Sequence, residues 1–145
     1  MNDNHPEKEA PAEAASPLRQ QILAAQDLKR ETVYVEEWDL TVYVTELTAA
    51  AKTEYQALGV KRDEEGAIMF AADGITPVVN RDAIVDFQEA LLIRTLVDDT
   101  GNRIFSNDDL AVLKKKSASV LERLHEVSAR LNKTRPKDVE EQAKN

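Results

Sequence analysis

The residues with the most chemical potential crowd into residues 96–109, LVDDTGNRIFSNDD, where Asp98, Asp99, Asp108 and Asp109 stand among a glycine and two asparagines. Clustered carboxylates can cage calcium, share a proton in catalysis, or stop one helix and start the next. An EF-hand loop needs a D-x-[DN]-x-[DN]-G run and a bidentate glutamate at its twelfth position. Counted from Asp98, the glycine position holds Arg103 and the glutamate position holds Asp109. The pattern fails where the cage geometry is strictest. The punctuation reading accounts for every residue. Asp98-Asp99-Thr100-Gly101-Asn102 is a turn in which Gly101 takes positive φ and the Asp and Asn side chains bond their own backbone. Arg103-Ile104-Phe105 is a short extended piece closing onto the core. Ser106 and Asp109 form a capping box, the serine oxygen meeting the third amide of the helix while the acid reaches back.

Other nucleophiles, bases and ligands fall away on spacing. His5 lies in a polar N-terminal stretch. His125 lies between Leu124 and Glu126 with no second histidine at ligand spacing, and cysteine is absent. Ser16, Ser106 and Ser117 read as helix caps, and no G-x-S-x-G or phosphate-cradling glycine loop occurs. Metal, cofactor and catalytic residues are therefore expected to be none. The basic run at 114–116 reads as a solvated helix end that complements the helix dipole. Trp38 stands between two β-rich runs, as a partner anchor or as a core ring.

The 145-residue chain carries a net charge of −8, with 32% charged and 42% hydrophobic residues. Nucleic acid and anionic membranes both demand clustered positive surface, so neither is an expected partner. No apolar run approaches the ~18 residues of a spanning helix, and residues 1–17 lack the apolar stretch of a signal peptide. The expectation is a soluble cytoplasmic protein of one domain over 17–132. A disordered tail at 1–16, rich in Ala, Glu and Pro, precedes it, and a polar tail at 133–145 follows it.

The elements that would position these residues are mostly helical. Ser16-Pro17 caps a short helix over 18–25, with Ile22 and Leu23 as its apolar contribution. In ETVYVEEWDLTVYVTELT the period becomes two, predicting a hairpin. Val33 and Val35 share one face, Tyr34 and Trp38 the other, and Leu40, Val42 and Val44 alternate with Tyr43. A lone hairpin is marginal in water, so this one lies on the helices or pairs with a further strand. Thr48 caps a helix over 49–58 that Gly59 ends in the left-handed conformation. Residues 60–79 are ambiguous: DEEGAIMFAADG reads as a broken helix and GITPVV as an extended connection. Asn80 caps a helix running to Val97, apolar around most of its circumference and expected to bury Ile84, Phe87, Leu91 and Ile93 at the centre. A short helix at 108–115 and an amphipathic one at 118–132 complete a mainly α fold with a small N-terminal β-hairpin (α+β), arranged as a single helical bundle.

Two stretches carry a resemblance. ILAAQDLKRETVYVEEWDLTVYVTELTAA and LVDDTGNRIFSNDDLAVLKKKSASVLERLHEVSARLN resemble the opening and the closing regions of tail assembly chaperones from long-tailed, non-contractile bacteriophages and prophages. The opening is similar in its short helix, its paired β-rich runs around a tryptophan and its "LT-A" helix start. The close is similar in its acid-glycine turn and final "RLN" helix. Ala51 stands where the family often has an acid, the acid-glycine turn is one residue longer, and residues 60–79 match nothing in it. The resemblance implies a non-catalytic assembly factor of the host bacterial cytoplasm, absent from the mature virion. It implies that the protein coats the aggregation-prone tape measure protein and brings tail tube protein onto it. It also implies a longer, frameshifted form. The side chains expected to meet partners are Trp38 and Tyr43 on the hairpin, and Leu121, Leu124 and Leu131 on the last helix. The alternative is a small acidic adaptor or regulatory protein, secretion-chaperone-like or antitoxin-like, unrelated to tails.

Overall fold

The computed structural model describes residues 16–134. The expected disordered tail, apart from Ser16, and the polar C-terminal tail beyond Thr134 lie outside the described residues. The order of elements is α1 (Pro17–Ala24), β1 (Arg30–Val35), β2 (Leu40–Thr45), α2 (Ala49–Ala57), α3 (Arg81–Ile84), α4 (Phe87–Thr95), β3 (Leu96–Val97), a 3-10 turn (Asn107–Asp109), α5 (Leu110–Leu113) and α6 (Ala118–Asn132).

The architecture is α+β. Its frame is a three-stranded antiparallel sheet in the order β1-β2-β3, not the helical bundle expected. β1 and β2 pair without a bulge from Arg30↔Thr45 to Val35↔Leu40, and β3 adds to β2 through Tyr43↔Val97 and Val44↔Leu96. Alternation puts Val33, Val35, Val42 and Val44 on one face, where α4 and α6 cover them. The core is Val35, Val44, Leu92, Ile93, Leu96, Leu113, Val120, Leu121 and Leu124, with Trp38, Phe105, Val127 and Leu131 packed on its margin. The hairpin thus finds both a third strand and a helical layer, which an isolated hairpin lacks.

The long helix expected over 80–97 is broken. Asn80 does cap a helix, its side chain accepting from the Ala83 N–H at 3.3 Å, but that helix ends at Ile84 and a second begins at Phe87. Ile84 is consequently 46% exposed, not buried, and Phe87 is only half-buried, whereas Leu91 and Ile93 are buried as expected. At the other end Leu96 and Val97 leave the helix to become β3. Arg94 is buried with them, donating to the Ala90 carbonyl at 2.8 Å and pairing with Glu54 at 2.6 Å.

Residues 60–79 are neither a broken helix nor a plain connection. They form a small exposed lobe of three extended stretches bridged as Val60↔Val79, Arg62↔Ile68 and Phe70↔Pro77. Gly66 and Gly74 turn it at φ 88 and 74. The Asp63 carboxylate accepts from the Glu65 and Ala67 amides, and Asp73 from Ile75, Thr76 and the Thr76 hydroxyl. Side chains that satisfy backbone donors this way compete directly with helix. The same bonds, led by the Thr76 hydroxyl, hold the Asp73 pKa down to about 2.

Three smaller expectations fail. Gly59 does not take positive φ; a Cβ there would meet the Phe87 ring at 3.5 Å, and the helix simply unwinds at Leu58. Ser117 makes no cap bond; its hydroxyl lies 3.1 Å from that of Ser119. The expected helix at 108–115 is a 3-10 turn followed by a single turn of α-helix. α1 forms under its Ser16 cap but buries none of its residues: Leu18, Ile22 and Leu23 are each more than 60% exposed.

Candidate functional site

The aspartate stretch is punctuation. The Asp98 carboxylate accepts from the Thr100 and Asn102 amides at 2.9 Å and from the Thr100 hydroxyl at 2.7 Å. That hydroxyl, first among these partners, lowers the Asp98 pKa. Gly101 sits at φ 93. Ser106 accepts from the second amide, that of Asp108, at 3.2 Å, while the Asp109 carboxylate reaches back to the Ser106 N–H at 2.8 Å. His125 is half-buried on α6, and burial pushes its pKa down against the opposing pull of Glu126 and Glu89.

The expected partner residues separate into three environments. Leu121 and Leu124 are 2% and 0% exposed and belong to the core, with Leu131 packed on its margin. Their stripe is consumed by the chain's own sheet. Tyr43 is half-buried on the opposite face of the sheet, with the Arg30 guanidinium 5.5 Å from its ring centre. Arg30 also donates to the Asp98 and Asp99 carbonyls, so this cation-π contact straps the hairpin to the turn after β3. Trp38 borders an open apolar groove at the hairpin tip, and Leu124 lines a second one under β1.

Trp38 owes its position to a tight loop. Its N–H donates to the Val35 carbonyl at 3.1 Å, and Asp39 closes the loop at φ 51, a left-handed conformation that aspartate tolerates. Tyr34 donates to the Asp39 carboxylate at 2.6 Å, which raises the tyrosine pKa. The loop folds Trp38 onto the core side of the sheet, away from Tyr34, contrary to the shared face expected. There Trp38 and Leu40 form one wall of a groove of about 280 Å³. Leu96 and Leu113 are its floor, and Ile104, Phe105 and Val112 the far wall. Lys116 is the one charged residue lining it. Leu40 is 56%, Ile104 47% and Val112 55% exposed. Contiguous exposed apolar surface of this kind marks interaction sites. Sequence reading missed Leu40, Ile104 and Val112 as site residues. The available signal was their apolar character beside turns, which by itself does not distinguish a wall from a core.

The sequence profile of the phage tail assembly chaperone family matches residues 17–145. Among solved structures, the chain is similar to the tail assembly chaperone of bacteriophage HK97, at 20% identity and a TM-score of 0.52, over 80% of this chain and 98% of that one. At that identity the likeness is one of fold. No curated protein matches the chain.

Proposed function

The chain belongs to the phage tail assembly chaperone family, and from that premise we propose that it acts without catalysis, binding the tape measure protein and keeping it soluble until tail tube protein encloses it. The groove at Trp38 carries this reading. A tape measure protein is expected to expose long apolar helical seams before the tube encloses it. A groove with Leu40, Ile104 and Val112 exposed around a tryptophan suits the apolar face of such a helix, the helix-in-groove mode of recognition. The net charge of −8 keeps the complex dispersed. The site of action on this reading is the host cytoplasm, with the protein left out of the finished particle.

Co-expression with the tape measure protein of the same phage tests it. The tape measure protein is expected to be insoluble alone and soluble and co-purifying with the chaperone. Val112→Glu should fold normally, because Val112 is 55% exposed, and should abolish the rescue. A tape measure protein that stays aggregated with the wild-type chain removes the tape measure reading. Rescue unchanged by Val112→Glu removes the groove.

A further inference from the structure

Among the described residues, β1 is an outer strand with no neighbour on its far side. The phase of its ladder is set by the Glu46 N–H, which donates to the Lys29 carbonyl at 2.8 Å. In an antiparallel pair the bonding positions alternate. Lys29, Glu31, Val33 and Val35 therefore turn their backbone groups toward β2. Arg30, Thr32 and Tyr34 turn theirs outward, and among the described residues no other backbone group bonds to them.

Natural proteins blunt such edges with lysine, proline, bulges or very short strands. Within Arg30–Val35 there is no proline, bulge or lysine, and Lys29 stands just before the strand. β1 reads RETVYV over six residues, its charge is confined to Arg30 and Glu31, and its register is unbroken. Beneath it lies a second apolar groove, of about 320 Å³, between Val33 and Val35 of the strand and Val120, Leu124 and Val127 of α6. Two ion pairs bracket this groove: Glu31 with Arg130 at 2.8 Å, and Glu37 with Arg123 at 2.6 Å. Both pairs are half-exposed and modest in strength; α6 itself is held under the strand by Val120, Leu121 and Leu124 in the core.

We propose that the free edge of β1 accepts an extended segment of a partner protein as a fourth strand. The outward amides and carbonyls of Arg30, Thr32 and Tyr34 supply the main-chain bonds, and the valine-lined groove selects apolar side chains at alternate positions of the incoming strand. The partner segment is β-branched and apolar at every second residue and flanked by basic residues. Basic flanks complement the net charge of −8, which opposes a second copy of this chain in the same place. This surface is separate from the Trp38 groove and does not depend on the tape measure reading.

The test uses the full chain and a synthetic peptide of alternating valine and threonine with lysines at both ends. Peptide binding should slow amide exchange at Arg30, Thr32 and Tyr34 at least tenfold, while the Val33 amide, already bonded to β2, changes little. Thr32→Pro removes an outward donor without breaking the β1–β2 ladder, a position where strands tolerate proline. It should weaken binding at least tenfold. The same peptide methylated on alternate backbone nitrogens, used against the unaltered protein, should also fail to bind. Equal binding of the methylated peptide overturns the proposal. So does protection confined to other elements, or concentration-dependent protection of these amides without peptide, which would assign the edge to a second copy.

Discussion

α4 and α6 meet through one buried pair of hydroxyls. Thr95 Oγ1 donates to the Leu91 carbonyl at 2.9 Å and lies 2.9 Å from Ser128 Oγ, so the serine is the donor between them. Both residues are 0% exposed. Thr95→Val keeps the branched shape but leaves the Ser128 hydroxyl facing a methyl group out of water. A stranded buried donor costs about 1–3 kcal/mol. Ser128→Ala leaves Thr95 its bond to Leu91, so that change should cost less, about 0.5–1.5 kcal/mol. In the double variant no hydroxyl is stranded. Its cost should fall short of the sum of the singles by about 1 kcal/mol, within the usual range for contacting residues. Urea midpoints read this directly: with a slope of about 1–3 kcal/mol/M, the Thr95→Val shift is about 1 M. Costs that simply add would show that the two hydroxyls are not partners and that the helices are joined by apolar packing alone.

The broken helix makes its own prediction. Leu91→Ala should cost about 2–5 kcal/mol as a cavity-forming change, while Ile84→Ala, at a site 46% exposed, should cost less than about 1 kcal/mol. Denaturation midpoints of the two variants check the contrast. Ser106→Ala should lower stability by about 1 kcal/mol, the usual loss for a cap, with an unchanged midpoint removing the cap. Asp73 should titrate near pH 2 by carboxyl NMR, and Thr76→Val should move that midpoint up toward 3.8. Because the folded pKa is depressed, the stability this group contributes is present above the unfolded carboxylate range and is lost as pH falls through about 2.

Features that one side chain sets were legible. Ser16, Thr48 and Asn80 each cap the helix that follows them, because an N-cap is decided within four residues. The β1–β2 pairing was legible from its period of two. The third strand was not. Leu96 and Val97 end the run ALLIRTLV, and a continuous apolar stretch has no period to separate buried helix from buried strand. What moves them to the sheet is the tertiary demand of β2 for a neighbour at Tyr43 and Val44. The 60–79 lobe was lost for the opposite reason: its apolar residues invited a helix, while Asp63 and Asp73 hold its turns through bonds that only a folded loop displays.

The candidate site divides along the same line. Trp38 was identifiable because a lone tryptophan at a hairpin tip is conspicuous, but its groove is completed by Ile104 and Val112, far along the chain. The amphipathic stripe of α6 drew attention for the right physical reason and the wrong destination. An apolar stripe must be covered, and here the chain covers it itself, with Leu121 and Leu124 against the sheet. A binding surface has to be sought where apolar or hydrogen-bonding capacity is left over once the core is closed. In this molecule that excess lies at the rim around Trp38 and along the outer edge of β1, and neither is a property of a single element. The groove needs the hairpin loop, β3 and α5 together, and the proposed edge site needs α6 packed beneath β1 through Val120 and Leu124.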